Sequence, residues 1–139
     1  DISFDFNESL SFQGNSGPYL QYTYVRCQSV LRKVSESDVV FNIKDAKDID
    51  LSVEEIDLLR NLYQYSEVVA EAMINRSPHL VCTYLYQLAQ AFNLFYTKHS
   101  ILQADQENQK QFRAALTKAT AEVLGQGLGV LNIALIEEM

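Results

Sequence analysis

The amino-acid sequence predicts an all-α fold in which about four main helices form an up-and-down bundle. Apolar residues recur at intervals of three or four through most of the chain, which is the spacing of one face of a helix. Residues that commonly begin helices precede three of these stretches. We therefore expect helices near residues 18–35, 52–75, 78–99 and 106–128, enclosing one core in a single domain of 139 residues.

The first predicted helix begins at a well-marked turn. Gly14 and Gly17 supply the backbone freedom that a turn needs, and Pro18 suits the first helical position because its missing N–H would be unpaired there. A phosphate-binding loop is the alternative interpretation, but Gly-x-x-Gly without a following Lys-Ser or Lys-Thr is a weak signal. An apolar stripe at helical spacing then faces the expected core: Leu20, Tyr24, Cys27, Leu31 and Val34.

A second face of this helix carries aromatic and cationic side chains. Tyr19, Tyr22 and Arg26 recur at helical spacing, with Ser29 and Lys33 continuing the stripe. Tyrosine rings stack on unpaired bases, and guanidinium groups reach phosphates or base edges. A solvated face with two amphipathic tyrosines is the other interpretation, and spacing alone favours it because surface tyrosines are common. Either interpretation requires these side chains to be accessible to solvent.

The second predicted helix opens with a capping box. Ser52 and Glu55 have the Ser-x-x-Glu spacing in which each side chain bonds the other residue's backbone N–H. From the spacing, we expect the buried side of this helix to carry the following residues: Ile56, Leu59, Tyr63, Val69 or Ala70, and Met73.

The third predicted helix should be the buried centre of the bundle. Ser77 is expected to cap it and Pro78 to occupy its first turn. Apolar residues lie on two of its faces, and the remaining stripe is small or hydrogen-bonding. The last helix should weaken and end at Gly125, Gly127 and Gly129, because glycine disfavours a helix interior.

The net charge of −7 at first argues against a nucleic-acid partner, because Lys and Arg contacts to phosphate supply much of such binding. Most of the negative charge lies in one segment, however. Residues 36–57 hold eight acidic residues and two lysines, a net of −6, which leaves −1 for the rest of the chain. A role in reading bases rather than phosphates therefore stays open.

The sequence carries no recognisable catalytic or metal-binding motif. Cys27 and Cys82 do not form a Cys-x-x-Cys pair, and we expect both to be reduced thiols in the core. His79 and His99 lie too far apart along one helix to share a metal ion. No apolar run is long enough to span a bilayer. We therefore expect a cytoplasmic fragment that is not an enzyme by itself.

Three short runs near the two ends of the chain are distinctive. Residues 11–22 read SFQGNSGPYLQY, residues 115–120 read ALTKAT, and residues 127–131 read GLGVL. These runs resemble the carboxy-terminal anticodon-binding domain of arginyl-tRNA synthetases. The first matches the family's junction and first helix with Ser16 in place of Thr, and the other two match its closing helix and turn. Asn132 stands where glycine is common in the family. With the helical pattern between them, the resemblance covers nearly the whole chain.

The resemblance implies a role in binding tRNA. In that family, the bundle binds the anticodon stem-loop of tRNA(Arg), and a catalytic domain of the same polypeptide joins arginine to the tRNA with ATP, with Mg²⁺ expected. The family's two ATP-site signatures, of the His-Ile-Gly-His and Lys-Met-Ser-Lys-Ser types, are absent here. This chain should therefore need no cofactor of its own. We expect residues 1–17 to be a tether from the catalytic domain and residues 18–139 to be the bundle of a monomeric enzyme.

The resemblance also implies which side chains enclose the anticodon. It adds an aromatic residue late in the central helix and the terminal methionine to the aromatic face of the first helix. Tyr96 and Met139 are the best matches, and Asn93 lies one turn before Tyr96. The complete predicted site comprises Tyr19, Tyr22, Arg26, Asn93, Tyr96 and Met139. In the competing interpretation, Met139 is a free chain end and Tyr96 an ordinary bundle tyrosine. Two other functions stay open: a helical protein-interaction module, and an acidic helical fragment without independent activity.

Overall fold

A computed structural model describes residues 17–39 and 48–138, with side chains through residue 132. Within these residues the chain is helical and contains no strand, which confirms the all-α prediction. Four long helical units correspond to the four predicted helices, and the second is divided at Gln64. The resulting helices are α1 (Gly17–Ser35), α2 (Val53–Tyr63), α3 (Tyr65–Ile74), α4 (Pro78–Lys98) and α5 (Glu107–Glu138).

Helix α4 occupies the centre of the bundle, as predicted. It packs against α1, α2, α3 and α5, while α1 and α5 also pack against each other. Its inward side chains are fully buried because apolar residues lie on more than one of its faces. The largest of them are Leu85, Leu88, Phe92 and Phe95, each with no exposed surface.

Helix α1 turns its predicted apolar stripe to this core. Leu20, Cys27 and Val34 are buried, and Tyr24 and Leu31 are half-buried against them. Burial raises the pKa of the Cys27 thiol to about 12, although the neighbouring Arg26 opposes the shift. The thiol is therefore protonated and unreactive at neutral pH. Neither cysteine forms a disulfide, and Cys82 is half-buried rather than fully within the core as predicted.

The capping box at the start of α2 forms as predicted. The Glu55 backbone N–H donates to Ser52 Oγ at 3.2 Å, and the Ser52 backbone N–H donates to Glu55 Oε2 at 2.8 Å. At the start of α4, Pro78 lies in the first turn as predicted, but the Ser77 side chain does not cap the helix. The Ser77 hydroxyl donates instead to the Asn75 carbonyl at 3.3 Å.

The predicted buried face of the second helical unit is only partly correct, because Val69 packs against the core and Ile56 is half-buried while three other predicted residues are not. Leu59, Tyr63 and Met73 are exposed, by 37%, 88% and 75% respectively. The residues that α2 buries are Glu55 and Leu58. Glu55 lies on the buried face beside Leu58, where it forms an ion pair with Arg113 of α5. The face that meets the core keeps one helical spacing across Gln64, displaced by one residue from the predicted face. Its members are Glu55, Leu58, Leu62, Tyr65, Val69 and Ala72.

The predicted end of the last helix is also wrong, because α5 continues through all three glycines to Glu138. Gly127 is buried against the central helix. A Cβ atom at this position would lie 2.6 Å from both methyl carbons of Leu85. Glycine therefore lets α5 approach α4 closely, and the packing gained in this way offsets the weak helix propensity of glycine.

We expect opposite effects when two of these glycines are replaced by alanine. Gly127→Ala should destabilise the chain by about 1–3 kcal/mol, because the new methyl group overpacks the contact with Leu85. Gly129→Ala should stabilise it by about 0.5–1 kcal/mol, because no atom lies within 4 Å of the new Cβ and alanine favours the helix. Urea unfolding of the 139-residue chain measures both effects. A stabilising Gly127→Ala would contradict the close approach of α4 and α5.

No helix within residues 17–39 and 48–138 has the length and apolar character needed to cross a membrane. Most of the predicted tether, and residues 40–47 of the acidic segment, lie outside the described residues. So does Met139, the last residue of the predicted site.

Candidate nucleic-acid interface

Five of the six predicted site residues meet where the outer face of α1 lies beside α4. Tyr19, Tyr22 and Arg26 come from three successive turns of α1, and Asn93 and Tyr96 from the last two turns of α4. We call these five residues the aromatic–arginine cluster. Packing between α1 and α4 joins side chains that are about 70 positions apart in the sequence.

Arg26 lies at the centre of the aromatic–arginine cluster. Its Nη1 donates to Asn93 Oδ1 at 2.7 Å, and its Nη2 donates to the Tyr22 hydroxyl at 3.0 Å. Its Cζ lies 4.6 Å from the centroid of the Tyr96 ring and 5.0 Å from that of the Tyr22 ring. Cation–π attraction and two directed hydrogen bonds thus hold a half-buried guanidinium beside two tyrosine rings.

Asn93 of α4 forms hydrogen bonds with three side chains of α1. While its Oδ1 accepts from Arg26, its Nδ2 donates to the Tyr19 hydroxyl at 3.0 Å and to Thr23 Oγ1 at 2.9 Å. The orientation of the amide follows from its neighbours, because a guanidinium can only donate and therefore faces the oxygen. Asn93 thereby satisfies its acceptor and both N–H donors without using solvent.

The rings of the cluster differ in their exposure. Tyr22 is 60% exposed, as predicted for a stacking surface, and Tyr96 is 38% exposed. The Tyr96 ring rests on the buried Phe92 ring, with centroids 6.2 Å apart and planes inclined by 28°. Tyr19 is only half-buried rather than freely accessible, because its ring packs on Tyr86 at a centroid distance of 5.3 Å. The surface therefore offers two accessible rings, those of Tyr22 and Tyr96, with the Arg26 guanidinium held beside both.

One residue of this network was missed by the sequence interpretation. Thr23 is fully buried behind the cluster and donates its hydroxyl proton to the Tyr19 carbonyl oxygen at 2.9 Å. The sequence does place this polar residue one helical turn from both Tyr19 and Cys27, on the side of the first helix that faces the core. Such a residue requires a hydrogen-bond partner, but the sequence does not reveal which one.

A second polar contact joins α2 to the end of α4. The Nε2 atom of His99 lies 2.8 Å from Glu54 Oε1, and the His99 ring stacks on Phe95. Within residues 17–39 and 48–138, no group of three or more His, Cys, Asp or Glu side chains could hold a metal ion. The contact between Glu54 and His99 joins the first turn of α2 to the residue that follows α4.

Comparison with known proteins gives one consistent result. The family model described as the DALR anticodon binding domain matches residues 20–139. The chain is 41% identical over 139 residues to the arginine–tRNA ligase of Clostridium kluyveri, which covers all of this chain and 24% of that protein. It is 40% identical over 133 residues to the arginine–tRNA ligase of Bacteroides thetaiotaomicron, covering 96% of this chain and 22% of that protein.

A third relative, the arginine–tRNA ligase of Shewanella woodyi, is 41% identical over 140 residues, covering all of this chain and 23% of that protein. The chain thus spans about a quarter of the length of the curated relatives that it matches. Because the family match extends over most of the chain and agrees with its all-α bundle, the chain belongs to the DALR anticodon binding domain family.

Proposed function

We propose that this chain is the tRNA anticodon-binding domain of an arginine–tRNA ligase, and that the aromatic–arginine cluster contacts unpaired anticodon bases of tRNA(Arg). The observation that carries the proposal is the position of Arg26 beside the rings of Tyr22 and Tyr96 on one surface. The membership of the family and the names of the relatives support the same substrate class.

The chemistry of the cluster suits unpaired bases better than a duplex. Bases in a loop expose their faces and edges, and an accessible tyrosine ring can stack on such a face. The two hydrogen bonds from Arg26 engage two of its five N–H donors. Within the described part of the chain, the remaining donors are available for a base edge or a phosphate oxygen.

The charge distribution agrees with recognition of bases. A chain with net charge −7 gains little from general attraction to phosphate, so a localised cation and stacking rings must supply the affinity. In the proposed enzyme, a catalytic domain of the same polypeptide joins arginine to tRNA with ATP and Mg²⁺. This domain positions the tRNA, needs no cofactor of its own, and works in the cytoplasm within a monomer.

Met139 stays a predicted member of this site. Helix α5 packs against α1, the helix that carries Tyr19, Tyr22 and Arg26, and continues to Glu138. The thioether side chain of Met139 is suited to an apolar contact with a base. The interpretation of Met139 as a free chain end is the competing hypothesis.

We expect Tyr22→Ala in the full-length ligase to raise the KM for tRNA(Arg) about five- to 150-fold, which corresponds to the roughly 1–3 kcal/mol of one stacked base. The KM values for arginine and ATP should be unchanged, because the substitution is confined to the exposed face of α1. Aminoacylation kinetics with varied tRNA, arginine and ATP give the three constants.

Tyr63→Ala is the matched control, because Tyr63 is a surface tyrosine that is 88% exposed on α2 and lies outside the cluster. It should leave all three constants unchanged. If Tyr22→Ala behaved like Tyr63→Ala, the cluster would not be the anticodon site. Failure of the wild-type ligase to distinguish tRNA(Arg) from a control tRNA would favour the protein-interaction alternative.

A further inference from the structure

The residue behind the aromatic–arginine cluster is a threonine with no exposed surface. Thr23 Oγ1 makes two hydrogen bonds, one as donor to the Tyr19 carbonyl oxygen at 2.9 Å and one as acceptor from Asn93 Nδ2 at 2.9 Å. A hydroxyl group has a single proton. Because that proton is directed to the Tyr19 carbonyl, the oxygen can only accept from Asn93.

This arrangement restricts the Asn93 side chain to one orientation. Its Nδ2 must face Thr23, so its Oδ1 faces the Arg26 guanidinium. Rotating the amide by half a turn would place two donors together at Arg26 and two oxygens together at Thr23. Thr23 accepts from the amide nitrogen on the buried side of α1, and Arg26 donates to the amide oxygen on the outer side. Both contacts therefore favour the same orientation of Asn93.

The orientation of Asn93 determines what the cluster offers to a ligand. With Oδ1 as its acceptor, Arg26 is held in one conformation before RNA arrives, which lowers the entropy lost when the long side chain is ordered. The Tyr19 hydroxyl accepts from Asn93 Nδ2, so its own proton can be donated to a ligand. Both effects depend on an amide that the buried hydroxyl keeps in place.

We infer that Thr23 is a positioning residue of the RNA-binding surface: its buried hydroxyl fixes the Asn93 amide and thereby holds Arg26 and Tyr19 ready to bind tRNA. The inference rests on the proposed function of the cluster. Thr23 itself touches no ligand, because it is fully buried. Its contribution reaches the RNA through Asn93.

The test compares three variants of the full-length ligase. Thr23→Val keeps the shape of the side chain and removes the hydroxyl, whereas Thr23→Ser keeps the hydroxyl and removes a methyl group. Thr120→Val is the control for loss of a buried hydroxyl, because Thr120 is also fully buried and also donates to a carbonyl four residues earlier, that of Leu116 at 2.8 Å. Each variant is measured for Tm, for kcat, and for the KM of tRNA(Arg), arginine and ATP.

Thr23→Val is expected to raise the KM for tRNA(Arg) about two- to tenfold, the effect of one lost hydrogen bond, with arginine and ATP unaffected. Thr23→Ser should retain the wild-type KM for tRNA even though its Tm falls. Thr120→Val should lower the Tm about as much as Thr23→Val and leave the KM for tRNA unchanged. This pattern supports a positioning role for Thr23. If the role were purely structural, the KM for tRNA(Arg) would change with Tm and not with the presence of the hydroxyl.

Two results overturn the inference. One is a wild-type KM for tRNA in Thr23→Val, and the other is an equal rise in KM in Thr23→Ser and Thr23→Val. The Tyr22→Ala variant measured beside them separates the two levels of the proposal. If Tyr22→Ala raises the KM and Thr23→Val does not, the positioning role fails and the anticodon site stands. If neither variant raises it, both fail.

Discussion

Replacing Arg113 with methionine is expected to lower the free energy of unfolding by about 3–5 kcal/mol, because it leaves a buried carboxylate without its counter-charge. Arg113 Nε donates to Glu55 Oε1 at 2.7 Å, and Glu55 is only 1% exposed. Arg113 Nη1 also donates to the Ser100 carbonyl oxygen at 2.6 Å. One side chain thus connects α5 to α2 and to the segment after α4, and these contacts are lost together.

The same pair predicts how the loss depends on pH. Burial acts to raise the pKa of Glu55, but the Ser52 backbone N–H and the Arg113 guanidinium outweigh it, and the pKa lies below its ordinary value. The ionised carboxylate therefore stabilises the fold above the unfolded-state pKa of about 4.3, and this stabilisation disappears as pH falls through the lower folded-state pKa. In Arg113→Met, Glu55 has lost its counter-charge and protonates more easily. The difference in free energy of unfolding between this variant and the wild type should therefore become smaller in acid. Urea unfolding of both proteins between about pH 3 and pH 8 measures this difference in free energy.

Lys110→Met is the matched control, since Lys110 lies one turn earlier on α5 and pairs with Glu107 at 3.8 Å on the surface. An exposed pair of this kind contributes only a few tenths of a kcal/mol. Adding Glu55→Gln to Arg113→Met should restore part of the lost stability, because the amide removes the buried charge. A loss in Arg113→Met no larger than that in Lys110→Met would show that the ion pair does not hold these helices.

Phe92→Ala should also destabilise the chain by about 3–5 kcal/mol, because it opens a cavity in the middle of the bundle. Phe92 has no exposed surface, and its ring lies 5.9 Å from that of Phe95 and 6.2 Å from that of Tyr96. Since α4 contacts every other described helix, neighbouring side chains are held by several elements and cannot collapse freely into the space.

Thermal unfolding checks this expectation, and a loss of this size lowers Tm by roughly 6–20 °C for a domain of this length. Leu94→Ala provides the comparison on the same helix, because Leu94 is 47% exposed and its truncation opens no enclosed space. Its Tm should change by only a few degrees at most. Similar losses in both variants would argue against α4 as the centre of the core.

The helix starts were predictable from sequence because their signals are local. Pro18, Pro78 and the pair Ser52 and Glu55 act on backbone groups within one turn, and each lies at a helix start in the structure. The burial of Glu55 was not predictable in this way, although Leu58, Leu62 and Val69 on the same face do recur at helical spacing. It depends on Glu55 meeting Arg113, a partner 58 positions later, and a carboxylate in a capping box is normally assigned to the surface.

Glycine illustrates a second limit of the sequence. The propensity of Gly127 alone indicates a helix end, whereas its distance from Leu85 makes it a requirement of packing. Only the three-dimensional contact distinguishes it from Gly129, where an added Cβ atom would meet no neighbour within 4 Å. Two identical residues in one helix therefore have opposite roles.

The candidate site was predicted in two parts. Spacing along α1 placed Tyr19, Tyr22 and Arg26 on one face, and they do lie there. Asn93 and Tyr96 followed from the resemblance to a family, since nothing in their own spacing pairs them with α1. Hydrogen bonds between residues about 70 positions apart leave no local pattern, which is why Thr23 was overlooked.

The unbroken course of α5 lets one helix be held at several points along its length. At 1.5 Å per residue, the stretch of about 25 residues from Arg113 to Glu138 forms a rod of about 38 Å. Arg113 anchors this helix near one end through Glu55, Gly127 packs on Leu85 further along, and Leu131 is buried beyond it. Contacts spread over this length fix the direction of α5, so the loss of any one of them leaves the others to hold the helix in place.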